Sequence, residues 1–114
     1  MVRVDKPWGY ELLWAITDKY AGKVLHLKSG QSLSYQYHTV KDETIYVRTG
    51  KVLVELEEDD GGGRRELTML PGESLRIRPL TKHRMTAIED SELYEVSTPE
   101  IDDIVRLEDK YGRV

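Results

Sequence analysis

Residues 30–50 read GQSLSYQYHTVKDETIYVRTG. The stretch holds one histidine, His38, with Gln36 two residues before it and Glu43 five residues after it, and a glycine closes each end. Two readings fit this pattern. In one, two ordinary strands present polar side chains to water. In the other, the three side chains are ligands of a metal ion. Side chains at i and i+2 of a strand share a face, so Ser34, Gln36 and His38 line one side together. If the chain turns after His38 and returns through ETIYVR, Glu43 meets that same face at the start of the next strand.

The sequence around this stretch is built the same way. Short segments alternate between apolar and polar residues and are broken by turn residues. KVLVELE sets Val52, Val54 and Leu56 on one face, and SLRIR does the same for Leu75 and Ile77. Strands are expected over 10–16, 23–28, 33–37, 44–48, 51–57, 65–69, 74–78, 83–87 and 92–97, with turns at SGQ, RTGK, DDGGG, LPGE and IEDSE. No long segment has a helical period, and only the tail over 102–110 reads as a turn or short helix. Many short strands with regularly spaced turns define an all-β sandwich or barrel. No internal linker or low-complexity run divides the 114 residues, so 1–114 reads as a single domain with one core.

Composition narrows the function. Hydrophobic residues make up 39% of the chain, as in a soluble globular protein, and no apolar run approaches a membrane span. The first ten residues, MVRVDKPWGY, lack the apolar region of a signal peptide, from which a cytoplasmic location is expected. Cysteine is absent, which excludes disulfides, thiolate metal sites and thiol nucleophiles together. A net charge of -4 with mixed signs argues against nucleic-acid binding, which needs a concentrated basic face.

A fourth ligand for the metal reading stands in GESLRIRPLTKHRM, where His83 follows a loop and begins another strand. The Gln36 carbonyl oxygen, two imidazoles and one carboxylate form a mixed nitrogen and oxygen set. Such a set suits a six-coordinate divalent ion (Mn, Fe, Co, Ni or Zn) with two positions left for water or substrate.

Residues 30–50 resemble the first motif of the cupin superfamily, Gly-x5-His-x-His-x4-Glu-x6-Gly: Gly30, His38, Glu43 and Gly50 fall in place, and Gln36 replaces the first histidine. Residues 72–83 resemble the second motif, Gly-x5-Pro-x-Gly-x2-His, through Gly72 and His83, with Arg78 in place of the proline and Leu80 in place of the glycine. The resemblance implies a double-stranded β-helix, the cupin jelly-roll barrel, holding a metal on Gln36, His38, Glu43 and His83. KPWGYE at 6–11, GQSLSYQYH at 30–38 and DDIVRLEDKYGR at 102–113 further resemble the C-terminal isomerase domain of bifunctional mannose-1-phosphate guanylyltransferase/mannose-6-phosphate isomerases, and small stand-alone cupins related to it. Glutamine is the usual first ligand in that branch. The histidine-rich run of the bifunctional enzymes is absent; Thr39, Val40, Lys41 and Asp42 stand there, with Lys41 where those enzymes tend to have arginine.

The resemblance implies a metal-dependent sugar-phosphate isomerase in mannose or polysaccharide metabolism. Aldose–ketose isomerisation moves a proton between adjacent carbons through an enediol, so a base is needed besides the metal. Glu43 is a poor candidate for that base if it is already committed to the metal. Glu95, on a face with Leu93 and Ser97, and His26, on a face with Val24 and Lys28, are the candidates if those faces point inward. A packed barrel histidine and a solvent-facing glutamate are the plain alternatives. Lys28, Lys41 and Arg106 are candidate partners for the substrate phosphate, and Arg76 and Arg84 carry the same charge; solvated surface positions or weak ion pairs are their plain reading. DDGGGRR sits in a hairpin and reads as flexible rather than as a phosphate loop. Trp8 and Tyr10 are expected to pack at the barrel end or at a subunit interface. Two other classes remain open: a non-catalytic module that binds a sugar or a partner, and a different metal-dependent enzyme such as a dioxygenase or lyase. A homodimer is expected for a cupin of this size.

Overall fold

A computed structural model describes residues 1–58 and 61–114. Its strands are β1 (Val2–Lys6), β2 (Gly9–Ile16), β3 (Ala21–Leu27), β4 (Tyr35–Tyr37), β5 (Glu43–Thr49), β6 (Val52–Glu57), β7 (Arg65–Met69), β8 (Ser74–Ile77), β9 (Lys82–Ala87), β10 (Ser91–Ser97) and β11 (Val105–Glu108). They form a six-stranded sheet in the order β1-β2-β3-β10-β5-β8 and a five-stranded sheet in the order β11-β4-β9-β6-β7. The named strand pairs are antiparallel. The chain is thus all-β, a double-stranded β-helix of the jelly-roll type. No helix among the described residues is long and apolar enough to cross a membrane.

Alternation decides which side chains face inward. In β6, Val52, Val54 and Leu56 are buried while Leu53, Glu55 and Glu57 are partly exposed. In β9, His83, Met85 and Ala87 are buried between Lys82, Arg84 and Thr86. These inward faces meet Leu25, Leu27, Ile45, Val47, Ile77 and Leu93 of the other sheet in one core. Burying such aliphatic side chains contributes about 1.5–3 kcal/mol each, which sets the register firmly, because a slip of one residue would expose the whole face.

Two turns show why particular residues are needed. Gly50 joins β5 to β6 at φ +92°, and a Cβ there would lie 2.2 Å from Ser91 Oγ and 2.4 Å from the Asp90 carbonyl oxygen, so only glycine fits. Leu80, at the position of the missing motif glycine, takes φ +69° in spite of its side chain. That side chain stays half-exposed, and the Leu80 N–H donates to the His38 carbonyl at 2.7 Å, tying the second motif loop to the first.

Every expected strand is present with small shifts at its ends. Two further strands were not legible. β1 has only Val2 and Val4 as apolar residues and is largely exposed; it forms through its hairpin with β2, closed at Pro7 and Trp8. The tail forms strand β11 rather than a turn or short helix, because Val105 and Arg106 pair with Tyr37 and Gln36 far away in the chain, a partnership no local pattern reports. Asp59 and Asp60 of the expected DDGGG turn lie outside the described residues. Trp8 is buried in the core, and Tyr10 stacks on His26 with ring centroids 4.9 Å apart.

Candidate metal centre

His38, Glu43 and His83 form the centre, drawn from both sheets, with Gln36 beside them. Gln36 in β4 lies directly opposite His83 of β9 in the register, His38 follows β4, and Glu43 opens β5 in the facing sheet. All four are buried, His83 completely. His38 Nε2 lies 3.2 Å and His83 Nε2 3.3 Å from the same Glu43 oxygen, Oε1. Gln36 lines the cavity beside them, its Oε1 accepting the Ser34 hydroxyl at 2.9 Å.

The tautomers follow from the partners. His38 Nδ1–H donates to the Asp103 carbonyl, and His83 Nδ1–H donates to the Thr81 carbonyl at 2.9 Å. A carbonyl only accepts, so each neutral ring turns an Nε2 lone pair toward Glu43. Among the described residues His83 Nε2 has no hydrogen-bond partner despite its complete burial. Two imidazolium rings on one carboxylate oxygen would instead bring like charges to a ring separation of 5.2 Å in a buried site. A divalent cation satisfies all three donors without that repulsion, and both rings carry the backbone hydrogen bond that fixes a metal-ligating histidine. His38, Glu43 and His83 therefore fit a metal ion, all within 4.8 Å of one another through their ligand atoms.

Lys41 and Glu95 extend this centre. Lys41 is buried, with Nζ 3.3 Å from Glu43 Oε2 and 3.2 Å from Glu95 Oε2. Burial disfavours its charge, but the Glu95 and Glu43 carboxylates outweigh that and raise its pKa. Burial likewise opposes ionisation of Glu43, yet the adjoining His38 and His83 rings, the Glu95 carboxyl and the charge of Lys41 hold it well below the usual carboxylate range. Glu95 goes the other way: burial first, then the Glu43 charge, push it up to about 8 against the pull of Lys41 and Lys23. The two carboxylates act as a coupled pair in which one is ionised and the other tends to hold a proton.

A cavity of about 440 Å³ opens from this centre. Besides Gln36, His38, Glu43, Lys41 and Glu95, its wall includes Arg106 of β11, whose buried Nε–H has no partner among the described residues. Of the other expected residues, His26 and Lys28 lie elsewhere. β3 buries Lys23, Leu25 and Leu27, so Val24 and His26 face outward and Lys28 is exposed beyond the strand. The inward place expected for His26 belongs to Lys23, which lies opposite Glu95 in the register and reaches Glu11 at 3.4 Å. The parity of Leu25 and Leu27 carried that signal. Arg76 and Arg84 are engaged outside the cavity, by Asp42 and Glu55.

Neither a family model nor a curated protein matches the sequence. Solved structures do match. KdgF from Halomonas sp. is 25% identical with a TM-score of 0.72, the match covering 90% of this chain and 89% of that one. The capsular polysaccharide assembling protein CapF from Staphylococcus aureus is 18% identical with a TM-score of 0.77, over 95% of this chain and 34% of CapF. A cupin superfamily protein from Desulfitobacterium hafniense is 11% identical with a TM-score of 0.67, over 79% of this chain and 76% of that one. The barrel and its two motif loops have the cupin fold that these neighbours share.

Proposed function

We propose that this cupin is a metal-dependent isomerase of a small sugar phosphate, of the mannose-6-phosphate type. The observation that carries the reading is convergence. The three stretches with the isomerase resemblance lie far apart in the sequence, yet Lys6, Trp8 and Glu11, then Gln36 and His38, then Arg106 all line one cavity. Bound by Gln36, His38, Glu43 and His83, a divalent ion would supply the Lewis acidity that polarises a substrate carbonyl. The remaining work falls to the chain. Glu95, in the cavity wall beside these ligands, is the base in its ionised form: the carboxylate takes the proton from one carbon and returns it to the next, so the reaction needs no other reactant. Lys41 holds Glu95 in place and is already shared between two carboxylates, which leaves the Arg106 Nε–H as the donor for the phosphate.

Elemental analysis of the purified protein, followed by coupled assays with mannose 6-phosphate and fructose 6-phosphate, tests this reading. Bound metal and interconversion of the two sugars are expected. In Glu95→Gln, metal content is expected to stay while turnover falls by about 10²–10⁴-fold. Metal without interconversion overturns the isomerase reading, and unchanged turnover in Glu95→Gln removes the base. A protein that stays metal-free after addition of Mn, Fe, Ni and Zn removes the site.

A further inference from the structure

The loop from His38 to Glu43 joins two of the central residues, and one residue from the far end of the chain grips it. Asp103 precedes β11 in a segment whose neighbouring residues line the cavity. Its Oδ1 accepts the Thr39 N–H at 3.0 Å and the Thr39 hydroxyl at 2.8 Å. Its Oδ2 accepts the N–H groups of Val40 at 2.7 Å and Lys41 at 2.9 Å. With both oxygens occupied by the loop, the carboxylate is not itself a ligand. Its backbone carbonyl, meanwhile, takes the Nδ1–H of His38. Further along the same segment, Ile104 and Arg106 form cavity wall.

We propose that Asp103 is a positioning residue: by clamping residues 39–41 it holds its own carbonyl against His38 and so selects the His38 tautomer whose Nε2 faces Glu43. His83 needs no such help, because its carbonyl partner Thr81 lies only two residues before it in the chain. The clamp also sets the backbone from which the Lys41 side chain reaches Glu43 and Glu95. The C-terminal segment is therefore part of the centre, although it contributes no ligand. Only the affinity measurement below rests on the metal reading above; the tautomer measurement does not.

The experiment compares the wild type with Asp103→Ala and with the milder Asp103→Asn, which keeps one acceptor oxygen. Long-range proton–nitrogen NMR spectra of the imidazoles report the tautomers directly in metal-free protein. His38 is expected as the Nδ1–H form in the wild type and as a mixture in Asp103→Ala, with His83 unchanged as the internal reference. Titration with nickel(II) against a chelating dye is expected to show a loss of affinity of about 10–100-fold in Asp103→Ala and a smaller loss in Asp103→Asn, the range for losing a partner behind a ligand. A His38 spectrum that stays Nδ1–H in Asp103→Ala overturns the proposal, as does an equal change at His83, which would mean general loosening. Nickel affinity within twofold of the wild type overturns it as well. Should the wild type bind no nickel, the metal reading fails and the tautomer result alone decides for or against the clamp. If Asp103→Ala does not fold, the same two measurements on Asp103→Asn decide the question, with the same changes expected on a smaller scale.

Discussion

His83 and Arg84 are neighbours in β9 and belong to two different electrostatic regions. His83 points inward to a network of Glu43, Lys41, His38 and Glu95, whose side chains are 1–7% exposed. Arg84 points outward to Glu55, with Nε 2.7 Å from Oε2 and Nη2 3.1 Å from Oε1. That outer ladder continues to Arg64 and Glu108, which are 36% and 52% exposed, and Arg64 also covers the Tyr35 ring at 3.9 Å. By geometry alone the outer pair is the better one, being shorter and bidentate. Energetically the order reverses. Water reaches the outer charges, Arg84 at 23% and Glu55 at 13% exposure, and Arg64 stays beside Glu55, so each depends less on a single partner. The inner charges have given up their water, so each depends on the others and removing one leaves a buried charge uncompensated. What separates the regions is the cost of a missing partner.

The largest effect expected from breaking this contrast is at Lys41. Lys41→Met keeps the apolar stem and removes the one ammonium shared by Glu43 and Glu95. The buried Glu43–Glu95 pair, with one carboxyl ionised, then lacks that counter-charge, and the metal-free protein is expected to lose ~3–5 kcal/mol in urea unfolding. A divalent ion is expected to return part of that loss, since it places positive charge on Glu43 again. A loss below about 1 kcal/mol would show that the inner network is screened like the outer one.

The same contrast explains what is legible in the sequence. Facing is a local property, so period-two alternation is enough to place Val52, Val54, Leu56 and the strand ends. Alternation, together with the motif spacing, also brings Gln36, His38, Glu43 and His83 together. Glu95 points inward as expected, because Leu93 shares its parity. His26 does not: the expectation takes its parity from Val24, whereas Leu25 and Leu27 are the buried residues of β3. Lys23 escapes notice for the same reason: a lysine is rarely sent into a barrel, and its ion pair with Glu11, with Glu95 opposite in the register, makes that place tolerable. Asp103 lies beyond any such reading. Its partners are 62 to 65 residues away, and nothing in the DD pair at 102–103 says which carboxylate meets a loop from the first motif. Long-range pairing of the tail decides that, and pairing leaves no period in the sequence.

An intermediate case lies at the rim, where Asp109 accepts from Arg113 Nε at 2.7 Å and from its backbone N–H at 2.8 Å. Arg113 lines the cavity, so this lock shapes its lip. The Arg113 side chain holds the Asp109 carboxyl down at about 2, from an ordinary value of 3.8, although desolvation works against it. A carboxylate depressed in the folded state stabilises above its unfolded pKa, and the contribution disappears as pH falls through the folded value. Wild type and Asp109→Asn are therefore expected to differ by about 1 kcal/mol above about pH 5, allowing for solvent screening, and to converge near pH 2. Melting curves of both proteins across that range measure it. A difference that stays constant down to the lowest pH would mean that packing rather than charge holds the lock.

The smallest effect is expected where the geometry is best. Arg84→Met removes both hydrogen bonds to Glu55 and the contact to Glu108, yet Arg64 remains 3.6 Å from Glu55 and water reaches the rest. The methionine also keeps an apolar stem in place beside Tyr35, over whose ring Arg84 sits at 5.6 Å. Unfolding in urea is expected to shift by roughly 0.2–1 kcal/mol, and less in high salt, where the wild-type pair is itself weakened. Because His83 stands next in the chain and faces the other way, nickel affinity is expected to stay within about twofold of the wild type, well short of the 10–100-fold loss that follows removal of a partner behind a ligand. If Arg84→Met cost as much as Lys41→Met, β9 would be transmitting strain between its two faces, and the separation of inner and outer charges would fail on the one strand that carries both.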